Sequence, residues 1–157
     1  EFLILETFQT GLSWRIIINK REFIKKSFSN FNIEKIAEYD IIQINNLLKN
    51  KNIIRNKLKI ESTISNAKAF IKIQKKEESF SNYIWKFVNG IPIQNNFKNQ
   101  KEIPKQTKLS MIISKDLKQR GFKFVGPIVT YSFMQAIGLV NDHLTSCFRH
   151  KELLKKN

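Results

Sequence analysis

A chain of 157 residues, 41% of them hydrophobic, supplies a core for one domain or for two small lobes around a cleft. Twenty-eight Lys and Arg stand against 13 Asp and Glu, a formal charge of +15, and self-repulsion of that size points to a polyanionic partner, nucleic acid first. The single cysteine, Cys147, excludes an internal disulfide framework and fits a reducing cytoplasm. No apolar run approaches the roughly 20 residues that span a bilayer, which argues against a membrane partner.

The sequence opens on Glu1-Phe2-Leu3 and enters an apolar pattern at once, which reads as a start inside a helix. Phe2, Leu3, Leu5 and Phe8 share one helical face, and Thr10-Gly11 ends it in a tight turn. Ser13 is placed to cap a second helix, with Trp14, Ile17, Ile18, Phe23 and Ile24 facing inward, ending near Phe28-Ser29. The same apolar pattern recurs over Ile33 to Ala37, Ile41 to Leu48, Ile53-Ile54 and Leu58 to Ile73, broken at Asp40 and around Asn50 to Asn52. Ser79 or Ser81 caps a helix running through Tyr83 to Val88 and stopping at Asn89-Gly90. The stretch from Gln94 to Lys108 has no periodicity and is either a surface crossing or a functional loop. Regular alternating strands are nearly absent, so the fold class is all-α.

Ser110 to Arg120 then reads as a helix, Gly121 to Gly126 as a hairpin, and Pro127 to Leu139 as a helix with Pro in its first turn. Glycines at both ends of the hairpin leave backbone N–H groups open to a phosphate, and the second helix would aim its positive end at the same place. Arg120 and Lys123 add charge. Between Lys98 and Lys123 there are eight Lys or Arg, with only Glu102 and Asp116 as acids, so the positive charge gathers ahead of this turn. An ordinary helical turn with solvated lysines has the same pattern.

Near the end, His143 and Cys147 stand four residues apart, the spacing that stacks two side chains on one helix face, and imidazole with thiolate at that spacing can share zinc. A structural zinc takes four ligands. His150 is the only other histidine, and it lies about 10.5 Å further along a straight helix than His143, so it does not complete the set. A half-buried cysteine beside a solvated histidine remains the plainer alternative.

Taken together, Leu5-Glu6, Gln9, Gly11-Leu12-Ser13-Trp14, Ile53-Ile54-Arg55, Asn66-Ala67, Trp85, Phe87-Val88-Asn89 and Arg120 to Gly126 resemble the DNA-3-methyladenine glycosylase I family. Tyr131 to Ala136 and Gly138 to His143 extend the resemblance, with the blocks in family order along the whole chain. It implies a helix-hairpin-helix DNA glycosylase fold, a compact two-lobed helical bundle with a cleft. It also implies one glycosylase domain over 1–157, with the hairpin motif at about 110–139 and a zinc-binding segment at about 141–150. The implied activity is hydrolysis of the N-glycosidic bond of 3-methyladenine in double-stranded alkylated DNA, leaving an abasic site. The protein would be a cytoplasmic monomer.

By resemblance, Glu6 is the pocket carboxylate that hydrogen-bonds the flipped base, and Trp14 is an aromatic wall against it. N3 alkylation makes adenine cationic, so an anion and an indole face both favour it over adenine. Leu12, on the loop from Thr10 to Ser13, is the candidate wedge for the gap left by the flipped base, with Gly11 permitting close approach. Gly11, Leu12, Arg120, Gly121, Lys123 and Gly126 form the expected DNA contacts. His143 and Cys147 match the family's C-terminal zinc pair, whose partners are expected from an N-terminal segment not present in this sequence. Where related helix-hairpin-helix glycosylases carry a catalytic aspartate, this chain has Asn141, which cannot act as that carboxylate. No lysine after the hairpin stands in a recognisable nucleophile motif, which favours direct hydrolysis by water over a Schiff base, with Glu6 orienting the water. The competing readings are a DNA-binding helical module without catalysis and a structural helical protein.

Overall fold

The computed structural model describes residues 1–154. Helices dominate: α1 (Phe2–Gln9), α2 (Trp14–Ser27), α3 (Ile33–Ala37), α4 (Ile41–Lys49), α5 (Lys57–Glu77), α6 (Phe80–Trp85), α7 (Lys108–Gln119), α8 (Pro127–Ala136) and α9 (Phe148–Leu154). Two short strands, β1 (Ile93–Gln94) and β2 (Val140–Asn141), pair in parallel. None of the described helices is long and apolar enough to cross a membrane.

Local chemistry accounts for most of the helix ends. Asp40 and Gln43 form a reciprocal capping box at the start of α4, and Thr107 and Ser110 do the same for α7. Ser79, rather than Ser81, caps α6, and the chain continues through a one-turn 3-10 helix to Asn89, whose left-handed conformation closes it. At α2 the expectation is only half met. Ile17 and Ile24 are buried, whereas Ile18 is 62% exposed and Phe23 is also at the surface, so α2 buries a narrower seam than the expected apolar stripe. Ile53-Ile54 lies in the connection before α5 rather than in a helix. Ile53 is nonetheless buried, so the apolar signal marked an anchored loop.

The two-lobed expectation holds. One apolar cluster gathers Leu5 and Phe8 of α1, Ile17 and Ile24 of α2, Ile36 of α3, Leu47 of α4 and Ile60 and Ile64 of α5. The other gathers Ala69 and Ile73 of α5 with Phe80, Ile84, Ile113, Leu117, Phe133 and Met134. The long helix α5 therefore belongs to both lobes. On the other side α1 packs against α8, and the cleft opens along that seam.

Candidate active site

The α7–α8 turn is a helix-hairpin-helix. At the end of α7 the Phe122 N–H donates to Leu117 O (3.0 Å) and the Gly121 N–H to Lys118 O (3.0 Å), the paired bonds of a Schellman ending. Gly121 has φ +93°, a conformation that costs any residue with a Cβ. Phe122 and Leu117 are buried together in the same cluster, which fixes the exit angle. Gly126 differs, with φ −61° and nothing within 4 Å of where a Cβ would stand. Its missing side chain opens the space in front of the hairpin, and Pro127 then starts α8 in its first turn.

Side chains of α5, α7 and α8 hold the backbone of this hairpin, among them Ser65, whose hydroxyl donates to Gly121 O (3.4 Å). The Asn66 side-chain amide of α5 donates to Lys123 O (3.0 Å) and accepts from Lys123 N–H (2.7 Å), while Ser114 and Thr130 hydroxyls donate to Val125 O. The N–H groups of Phe124, Val125 and Gly126 have no protein acceptor among the described residues, so the turn holds unpaired donors although Val125 itself is buried. Lys123 is exposed beside them. Arg120 is turned elsewhere: it pairs with Asp116 at 2.6 Å and lies over the Tyr83 ring at 4.7 Å, so its charge is engaged inside the protein. Burial and the hydrogen bond to Asp116 push the Tyr83 hydroxyl up, and against its own burial the Asp116 carboxyl is held down by the hydrogen bonds from Tyr83 and then Arg120.

On the opposite side of the cleft, α1 ends at Thr10-Gly11. Gly11 takes φ +78°, and the Gln9 side chain closes the turn by donating to Leu12 O at 2.7 Å. Leu12 is half-buried and packs its side chain against the first lobe.

Between these elements lies a cleft of about 640 Å³, lined by Glu6 of α1, Trp14 at the start of α2, Gln94 of β1, Gln135 of α8, and Asn141 and Asp142. Glu6 is only 2% exposed, and its Oε2 is the buried side-chain oxygen that finds no partner among the described residues. Desolvation raises its pKa from the ordinary carboxylate range to about 7. Trp14 is 37% exposed, leaving part of the indole open to the cleft. Sequence reasoning thus brought Glu6 and Trp14 to the same cavity.

The far wall contains a second carboxylate that sequence reasoning assigned no role. Asp142 accepts from Asn95 Nδ2 (2.7 Å), Tyr131 OH (2.6 Å) and Gln135 Nε2 (2.7 Å). Burial, reinforced by the Asp142 hydrogen bond, pushes the Tyr131 hydroxyl up. Asn141 is also consumed, its Nδ2 donating to Gln94 Oε1 (2.8 Å) and its Oδ1 accepting from His143 N–H (3.3 Å). The aperiodic loop after Gln94 is tied to this wall at its start, through Gln94 and Asn95.

His143 and Cys147 do not share a helix face, because α9 begins only at Phe148 and the pair sits in the turn before it. That turn still brings His143 Nδ1 to 3.8 Å from Cys147 Sγ. His150 points away, with Nε2 at 2.8 Å from Asn95 O. No group of three or more His, Cys, Asp or Glu converges on one point among the described residues.

Residues 1–150 match the methyladenine glycosylase family. This chain belongs to that family. The DNA-3-methyladenine glycosylase of Haemophilus influenzae is 42% identical over 147 residues, covering 94% of this chain and 80% of that protein. DNA-3-methyladenine glycosylase 1 of Escherichia coli is also 42% identical, covering 94% of this chain and 79% of that one. A crystal structure of 3-methyladenine DNA glycosylase I superposes with a TM-score of 0.91 at 44% identity, over 94% of this chain and 81% of that chain. The Staphylococcus aureus enzyme, solved for the basis of its 3-methyladenine recognition, gives 0.91 at 35% identity, over 94% and 78%.

Proposed function

We propose that the cleft receives a 3-methyladenine base flipped out of double-stranded alkylated DNA and that Glu6 is the group that selects and retains it. The chain is a DNA-3-methyladenine glycosylase, an N-glycosidase of base-excision repair. The observation that carries the site assignment is the Glu6 carboxylate, buried in the cleft wall with an unpartnered oxygen. An unpaired buried acceptor costs folding free energy, and that cost is offset when a cationic base with N–H donors enters.

The chemistry asks little of the protein. Methylation at N3 leaves the nucleotide cationic, so the C1′–N9 bond breaks with its electron pair moving into the ring, and the base departs neutral. The electron-poor C1′ is then taken by water, which loses a proton and leaves an abasic site. Glu6 accepts a hydrogen bond from the base and orients the water, and the indole of Trp14 stacks on the cationic ring. Adenine lacks the positive charge and gains little from either group, so selection occurs before bond cleavage. Asn141, held by Gln94, is no general base.

For DNA, the free N–H groups from Phe124 to Gly126 and the start of α8 form the phosphate site, with Lys123 supplying charge. Gly121 and Gly126 shape it, while the engaged Arg120 contributes chiefly to its architecture. Leu12, beside Gly11, enters the gap left by the base. The protein works on DNA as a monomer in the cytoplasm.

His143 and Cys147 supply half of a structural zinc site. A tetrahedral ion with one nitrogen and one sulfur ligand separates those atoms by about 3.6 Å, and the observed 3.8 Å fits. Bound there, zinc would fasten the turn before α9 to ligands outside this pair, with no part in bond cleavage.

The test is release of 3-methyladenine from methylated duplex DNA. Free 3-methyladenine without free adenine is expected, and an intact methylated duplex after incubation with folded protein would overturn the reading.

A further inference from the structure

Two polar side chains of α5 leave their own helix to hold main-chain atoms of two separate turns. Lys59 is only 6% exposed, and its Nζ donates to Phe8 O (2.8 Å) and Thr10 O (2.6 Å) at the end of α1. It has no carboxylate partner among the described residues, and burial lowers its pKa. Asn66 grips the backbone of Lys123 in both directions. Seven residues separate the two, so they project from nearly the same face about 10.5 Å apart along the axis.

A helix end near the surface can satisfy its last carbonyls with water. Burying an ammonium for that purpose is expensive, although the negative end of α1 partly compensates it. The expense is understandable where the next residues must be held in place, and those next residues are Gly11 and Leu12. The turn is then fixed from both ends, since Gln9 donates to Leu12 O within it.

We propose that α5 is a strut that sets the distance between the Leu12 loop and the phosphate-binding hairpin, with Lys59 and Asn66 as its positioning residues for base extrusion. This rests on reading Leu12 as the wedge and the hairpin as the phosphate site. The strut bridges both lobes, so an error at either end displaces wedge from phosphate while leaving Glu6 and Trp14 in their own helices.

The experiment compares excision of the same lesion from duplex and single-stranded oligonucleotides, because only the duplex needs a wedge. Lys59→Met keeps the unbranched stem of the side chain but lacks the terminal donor. It should lower duplex kcat/KM by on the order of tenfold to a hundredfold, the cost of a displacement near 1 Å, and leave the single-strand value within about twofold. Leu12→Ala should give the same split, and the double variant should be no worse than the poorer single one. Asn66→Ala tests the other end and should also be selective for duplex. Equal losses on both substrates, no loss on either, or losses that add to those of Leu12→Ala overturn the strut. If Leu12→Ala shows the split and neither α5 variant does, the wedge survives and the strut fails. If Leu12→Ala itself shows no split, the wedge reading fails and the strut with it.

Discussion

The cleft has two walls, each carrying a carboxylate, and the two are treated in opposite ways. On the α1 side Glu6 is buried with an oxygen that has no partner. On the α8–β2 side Asp142 is met by Asn95, Tyr131 and Gln135. A carboxylate with three of its roughly four acceptor positions taken locks three segments together, whereas an unpartnered oxygen carries a desolvation cost that a ligand can relieve. The difference separates recognition from architecture within a single cavity.

Exchanging each acid for its amide sharpens this contrast. Glu6→Gln should have the largest effect, lowering release of 3-methyladenine by on the order of a hundredfold or more, as loss of a charge-matched contact and an oriented water does. The same change should stabilise the free protein at pH 8. Glu6 has a folded-state pKa of about 7, above its unfolded value, so its contribution to stability is fully present below the unfolded pKa and is lost as pH rises through 7. The penalty above pH 7 is on the order of 2 kcal/mol once solvent in the open cleft is allowed for. A higher melting temperature with lower activity is therefore expected of Glu6→Gln at pH 8.

Asp142→Asn should show the reverse profile. Its amide cannot accept from all three donors, so stability should fall by about 1–3 kcal/mol, read as a lower denaturant midpoint with an unchanged slope. Excision at a permissive temperature should stay within about tenfold. Trp14→Ala comes last, weakening binding of the cationic base by about 1–2 kcal/mol through the lost indole face, measurable by calorimetry with free 3-methyladenine at a pH where it is protonated.

The pattern of apolar residues made most helices legible and the glycines marked the Gly121 turn, because each depends on neighbours within one or two turns of helix, whereas the two-lobed arrangement came from the resemblance. It failed at Ile53-Ile54 and at Ile18, where a residue's apolar character does not say whether it faces a core. It also placed His143 and Cys147 on a helix, although a turn unites them. The roles of Lys59, Asn66 and Asp142 were hidden for a different reason. The Lys59 and Asn66 partners and the Asn95 partner of Asp142 lie 47 to 57 residues away along the chain, and no local spacing records such pairs. Glu6 and Trp14 were legible only through resemblance, since a glutamate on a short helix is ordinarily solvated.

The central claim is that Glu6 sits in the cleft without a partner, and carboxyl-carbon NMR of the free protein measures this directly. Titration of Glu6 with a midpoint near 7, moving downward when the cationic base is bound, is the predicted result. A midpoint near 4.5 that does not move on addition of the base would contradict it, because Glu6 would then already be solvated or paired and would have nothing to gain from the ligand.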